Sequence, residues 1–117
     1  MPMALKADIS RAARADGTEK PVDLVHLSTQ TLGDRDLEAQ VLGVFATQAG
    51  IYVEAWKAAG GGEARMRAAH SLKGAARSIG AWTLAELAEQ AERPGFADLK
   101  CLEVEVDRVC DYIRSLL

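Results

Sequence analysis

Residues 99–116 read LKCLEVEVDRVCDYIRSL, and the placing of their apolar side chains decides the fold class. Leu99, Leu102, Val106, Val109, Ile113 and Leu116 recur at steps of three and four, the period that keeps them on one face of an α-helix. Acidic and basic residues fill most of the positions between. Such a stripe is buried by packing against other helices, so the rest of the chain should supply them.

It does, working upstream. Trp82, Leu84, Leu87, Ala88 and Ala91 mark a shorter helix that Pro94-Gly95 ends. A helical pattern runs from Glu63 to Ile79 and stops at Gly80. Before it, Leu37, Val41, Phe45, Gln48, Tyr52, Trp56 and Ala59 trace one long amphipathic helix. Asp34 sits where its N-cap belongs, and Gly60-Gly61-Gly62 form a flexible turn at its end. Val22, Leu24, Leu27, Thr31 and Leu32 suggest a short helix stopped by Gly33. No β-alternation competes. Four sizeable helices joined by short Gly- or Pro-bearing turns predict an all-α, up-down-up-down antiparallel four-helix bundle, with an extra short N-terminal helix at one end. The domain should span residues 22–117. Residues 1–21 read as a partly ordered N-terminal extension, in which Leu5–Ala15 could be helical before Asp16-Gly17 and Pro21 interrupt it.

Composition agrees. The 117 residues suit one domain, and 49% of them are apolar. With only two each of Trp, Tyr and Phe, the core must be filled by Ala, Leu and Val, which suits closely packed helices. The net charge is −3 and no long basic stripe is present, which argues against nucleic acid as a partner. No apolar run reaches the ~20 residues that span a bilayer, and Met1–Ala15 lacks the apolar stretch of a signal peptide, so no membrane is expected and the cytoplasm is. Cys101 and Cys110 lie nine residues apart on one helix, about 13 Å from each other and on opposite sides, beyond disulfide reach. Both are expected to be buried small hydrophobes.

The chemistry concentrates on residues 63–79. On a helical wheel Ala68, Ala69, Leu72, Ala76 and Ile79 share one arc that must face the core. Arg65 falls in that arc near the helix start, where it can snorkel outward. His70 lies outside the arc, flanked by Met66, Lys73, Gly74 and Arg77, and should be exposed at mid-helix. A lone surface histidine beside Lys and Arg is ordinary on a solvated face. Gly74 is not: inside an exposed helix it costs about 1 kcal/mol relative to Ala, with no turn to require it. One turn from His70, its missing side chain would leave the imidazole open to a bulky partner. A neutral imidazole is a competent nucleophile near neutral pH. Lys73 could pair with phosphoryl oxygens, and Arg67 or Arg77 could add longer-range attraction. The chain has no nucleotide-binding glycine loop, so any phosphoryl donor must be another protein.

The run Ala69-His70-Ser71-Leu72-Lys73-Gly74-Ala75-Ala76, followed by Ile79-Gly80-Ala81, resembles the signature of histidine-phosphotransfer (HPt) domains of bacterial multistep phosphorelays. Leu32-Gly33-Asp34 and Phe45 upstream, and Leu84, Leu87 and Glu92 downstream, fall at the family's spacing. The resemblance covers about residues 22–93, with the last helix matching by pattern alone. It implies a monomeric phosphorelay carrier, not a kinase, that moves a phosphoryl group between receiver-domain aspartates. His70 would be the phosphoacceptor through Nε2 and Lys73 would stabilise the phosphoryl group. Met66, Arg67, Gly74, Arg77 and Glu92 would meet the partner, with Glu92 where the family often has a polar residue near the histidine. The partners implied are receiver domains of response regulators and hybrid sensor kinases. No cofactor or metal is implied in this chain, Mg²⁺ belonging to the receiver. Trp82 is bulkier than expected just past Gly80, and is either a partner contact or a core plug.

Two other readings compete. A helical adaptor could bind a receiver or kinase without carrying phosphate, with Met66 as an apolar anchor. The dimerisation domain of a sensor kinase usually has an acidic residue after its histidine, where Ser71 stands here, and needs an ATP-binding domain. His26 has no comparable setting, and a His26/His70 metal pair lacks further ligands at suitable spacing.

Overall fold

A computed structural model describes residues 20–117, and five helices make up most of them: α1 (Leu24–Thr31), α2 (Arg35–Ala59), α3 (Gly62–Ile79), α4 (Trp82–Ala91) and α5 (Leu99–Leu116). The possible helix at residues 5–15, and all but two residues of the expected extension, lie outside the described residues. Acidic N-caps start three of the helices: Asp23, Asp34 and Asp98 accept hydrogen bonds from the backbone N–H groups of His26, Leu37 and Cys101 at 3.0–3.1 Å. Asp36 and Glu38 in the first turn of α2 and Lys57 in its last complement the helix dipole. Gly60 ends α2 and Gly80 ends α3, both in the left-handed region.

α2 packs on α3, α3 on α4, α4 on α5 and α5 on α2, while α1 lies against α2 and α3. The core at the centre of this ring holds Leu72, Ile79, Leu84, Leu102, Val109 and Ile113, all fully buried. Each contributes about 1.5–3 kcal/mol of transfer free energy. Among the described residues no helix is long and apolar enough to cross a membrane.

Several expectations are corrected. On α2 the buried residues are Leu42, Phe45, Ala49, Val53 and Trp56, while Leu37 and Gln48 are exposed. At 100° per residue the buried face is rotated by roughly 70° from the expected stripe. The three- and four-residue steps through the large side chains take in Leu37 and Gln48 and pass over Leu42, Ala49 and Val53, which lie on the side that packs against the neighbouring helices. Leu32 is not part of the α1 face: it is 92% exposed and itself adopts a left-handed conformation, φ 55°, beside Gly33. Leu116, in the last turn of α5, is exposed as well. Of the two cysteines only Cys110 is buried. Cys101 is exposed because two positions on opposite sides of one helix cannot both face the core.

Candidate functional site

α3 turns its small residues inward. Ala68, Ala69, Leu72, Ala76 and Ile79 are all buried, as their arc requires, and the alanines let the neighbouring helices approach closely. His70 points away from the core with 72% of its side chain exposed. Met66 and Gly74 lie one turn to either side, Met66 partly exposed, and a Cβ built on Gly74 would meet nothing within 4 Å. The glycine therefore serves no internal close approach, and the space above it is open.

Among the described residues His70 has one fixed partner. Its Nδ1 lies 2.6 Å from Oε1 of Glu92, the C-cap residue of α4. The other carboxylate oxygen of Glu92 accepts from Lys73 Nζ at 2.7 Å. One carboxylate thus bridges the histidine and the lysine that stands one turn away on α3. Lys73 is mostly buried, and its charge is already committed to Glu92. Burial alone would raise the Glu92 pKa, but the hydrogen bonds from Lys73 and His70 outweigh it and hold the carboxyl below its ordinary value. Arg67 pairs with Glu63 at 3.4 Å and Arg77 with Glu89 at 3.6 Å, both exposed pairs that an incoming anion could compete for.

The end of α4 that carries Glu92 is pinned by residues whose role the sequence pattern did not show. Trp56 Nε1 donates to the Ala91 carbonyl at 3.3 Å, and its indole meets Phe96 edge-on with centroids 5.9 Å apart. Arg65, expected to snorkel outward, instead lies 3.7 Å over the Trp56 ring and donates to the Trp56 carbonyl at 3.1 Å. The only sequence signal for this corner was an aromatic at the end of α2 and a cation just after the glycine turn.

Trp82 is half-buried rather than a plug in the core. Its Nε1 donates to Asp23 Oδ2 at 3.1 Å, and His26 meets its ring edge-on at 4.8 Å, so it clasps α1. His26 lies on that clasp, apart from His70. Among the described residues no group of three or more His, Cys, Asp or Glu side chains could hold a metal ion.

The family model described as "Hpt domain" matches residues 35–115. The match takes in nearly all of α5 and leaves out α1, whereas the sequence signature alone suggested residues 22–93. No curated protein and no solved structure gives a match. An exposed mid-helix histidine, braced through one ring nitrogen on a bundle of this kind, accords with the match: the chain belongs to the Hpt domain family, the histidine-phosphotransfer domains of phosphorelays.

Proposed function

We propose that His70 accepts a phosphoryl group on Nε2 from the aspartyl phosphate of one receiver domain and passes it to the aspartate of another. The observation that carries this reading is the 2.6 Å contact between Glu92 and Nδ1 of an exposed histidine. A carboxylate there favours the tautomer with its proton on Nδ1, which leaves the Nε2 lone pair free toward solvent. In the forward step that lone pair forms the N–P bond, and the P–O bond pair leaves with the aspartate carboxylate. The cations Arg67, Lys73 and Arg77 around the ring favour an approaching phosphoryl group.

The docking face would be the exposed surface of α3 around Met66, Arg67, Gly74 and Arg77, with Glu92 at its edge. An apolar groove of about 310 Å³ between α2 and α3, lined by Leu37, Val41, Val44, Ala75 and Ser78, flanks it and supports receiver binding. The ring of neighbouring helices and their short glycine-bearing turns support the up-down-up-down arrangement. We read residues 22–117 as the domain and the protein as a cytoplasmic monomer that uses no metal of its own, Mg²⁺ being held by the receiver.

Incubation with a phosphorylated receiver should give label that acid removes and base spares, as expected of a phosphoramidate. His70→Gln should abolish it. Stable receiver binding without any such label would favour the adaptor reading instead.

A further inference from the structure

The bond between Glu92 and Nδ1 concerns more than the free histidine, because Nδ1 is the nitrogen that stays unphosphorylated. When Nε2 carries the phosphoryl group, Nδ1–H makes the ring a phosphoimidazolium, and the leaving group is then a neutral imidazole. If Nδ1 loses its proton, the leaving group becomes an imidazolate, which is far poorer. Retention of that proton therefore decides whether the phosphoryl group can move on.

We propose that Glu92, held in place by Lys73, keeps Nδ1 protonated while Nε2 is phosphorylated, and so keeps the phosphoryl group transferable at and above neutral pH. This rests on the carrier reading of His70. The steps balance without any proton entering or leaving. In loading, the Nε2 pair attacks phosphorus and the donor carboxylate takes the P–O pair. In unloading, the acceptor carboxylate forms its P–O bond and the N–P pair returns to Nε2. Nδ1–H donates to Glu92 Oε1 throughout, and transfer can run in either direction.

Lys73 is a positioning residue in this scheme. Its Nζ sits 2.7 Å from Glu92 Oε2, on the oxygen that His70 does not use, so it aligns the carboxylate without competing for Nδ1. The wider surroundings leave Glu92 as the group that bears on Nδ1. On α3, Arg67 and Arg77 are paired with Glu63 and Glu89, and Glu89 is the other nearby acid on α4. α2 turns Leu37, Val41, Phe45 and Gln48, all uncharged, toward α3. Asp23 and His26 of α1 lie at the Gly80 end, about 15 Å along the helix from His70.

The test is to load the protein with phosphoramidate, which needs no partner, and to titrate the phosphohistidine by ³¹P NMR. A carboxylate against a cation shifts its midpoint by about 1 unit or more, so Glu92→Gln should lower the midpoint by about 1 unit. Above that midpoint the variant's phosphoryl half-life should lengthen about tenfold, as the protonated fraction falls. Glu92→Ala, which removes the acceptor altogether, should move both readouts the same way, and Glu92→Asp should restore part of each. Equal midpoints in wild type, Gln and Ala variants would overturn the role of Glu92 while leaving His70 as the carrier. Label located anywhere but His70 would overturn the carrier reading and this inference with it.

Discussion

The Asp23 backbone N–H donates to the Gly80 carbonyl at 2.9 Å, and a Cβ built on Gly80 would stand only 2.8 Å from the Cβ of Asp23. The start of α1 is thus pressed onto the turn between α3 and α4. Gly80 also has φ +78°, so two independent requirements meet at one residue. Gly80→Ala should cost about 2–4 kcal/mol, combining left-handed strain with a backbone clash that no rotamer relieves. Urea melts measure it. A loss below about 1 kcal/mol would mean that α1 simply lifts away.

Asp23 makes the same junction sensitive to acid. Burial alone would raise its pKa, but the hydrogen bonds from Trp82 and the His26 amide outweigh this and set it below the ordinary carboxylate value. A carboxyl with a lowered folded-state pKa stabilises fully above the unfolded value of about 3.9 and loses that contribution as pH falls through the folded one. Asp23→Ala should therefore destabilise at pH 7 by about 2–3 kcal/mol, through the lost cap and the lost indole acceptor. The deficit should shrink well below pH 4. Stability curves for the two proteins that stay parallel down to pH 2 would contradict the assignment.

The two histidines should behave in opposite ways. His70→Gln should remove all phosphoryl label yet change stability by less than about 1 kcal/mol, since the side chain is exposed and Gln can still meet Glu92. His26→Gln should keep the label and lose about 0.5–1 kcal/mol, because the edge-on contact with Trp82 is lost. Paired melts and labelling assays of both variants check this, with Trp82 emission reporting the change at α1.

The inward arc of α3 was legible because its five buried residues share one narrow arc between Gly62 and Gly80. The α2 face was not, because Ala49 at its centre counts as much as Phe45, and a stripe drawn through the large residues misses it. His70 could be found from the glycine one turn away. Its bond to Glu92 could not be read from any single helix: it depends on the angle between α3 and α4, set by the Asp23–Gly80 junction at one end and by Trp56 on the Ala91 carbonyl at the other. The tie of Lys73 to Glu92 was hidden for the same reason. Spacing placed the lysine beside the histidine, but only the fold brings Glu92 between them.

Gly74 offers the sharpest separation of surface geometry from internal packing. If the residue were small to let a neighbouring helix approach, any larger side chain would destabilise the bundle. No heavy atom beyond its own helical surroundings lies within 4 Å of a Cβ built there, so the fold itself accepts a methyl group. Gly74→Ala should then gain up to about 1 kcal/mol from helix propensity and a less flexible unfolded chain. Gly74→Gln should fold normally as well, since its side chain extends into open space on the His70 face. Transfer should diverge from stability in that variant. In-line attack needs the donor and acceptor atoms about 3–3.5 Å apart, and a side chain that holds the receiver off by even 1 Å costs about a hundredfold in rate. Gly74→Ala should lose far less, its methyl group being short of the ring. Thermal melts beside phosphotransfer rates for both variants measure the two effects separately. Wild-type transfer in Gly74→Gln would show that the receiver does not approach across this glycine, and a destabilised Gly74→Ala would show that the space above it is already taken.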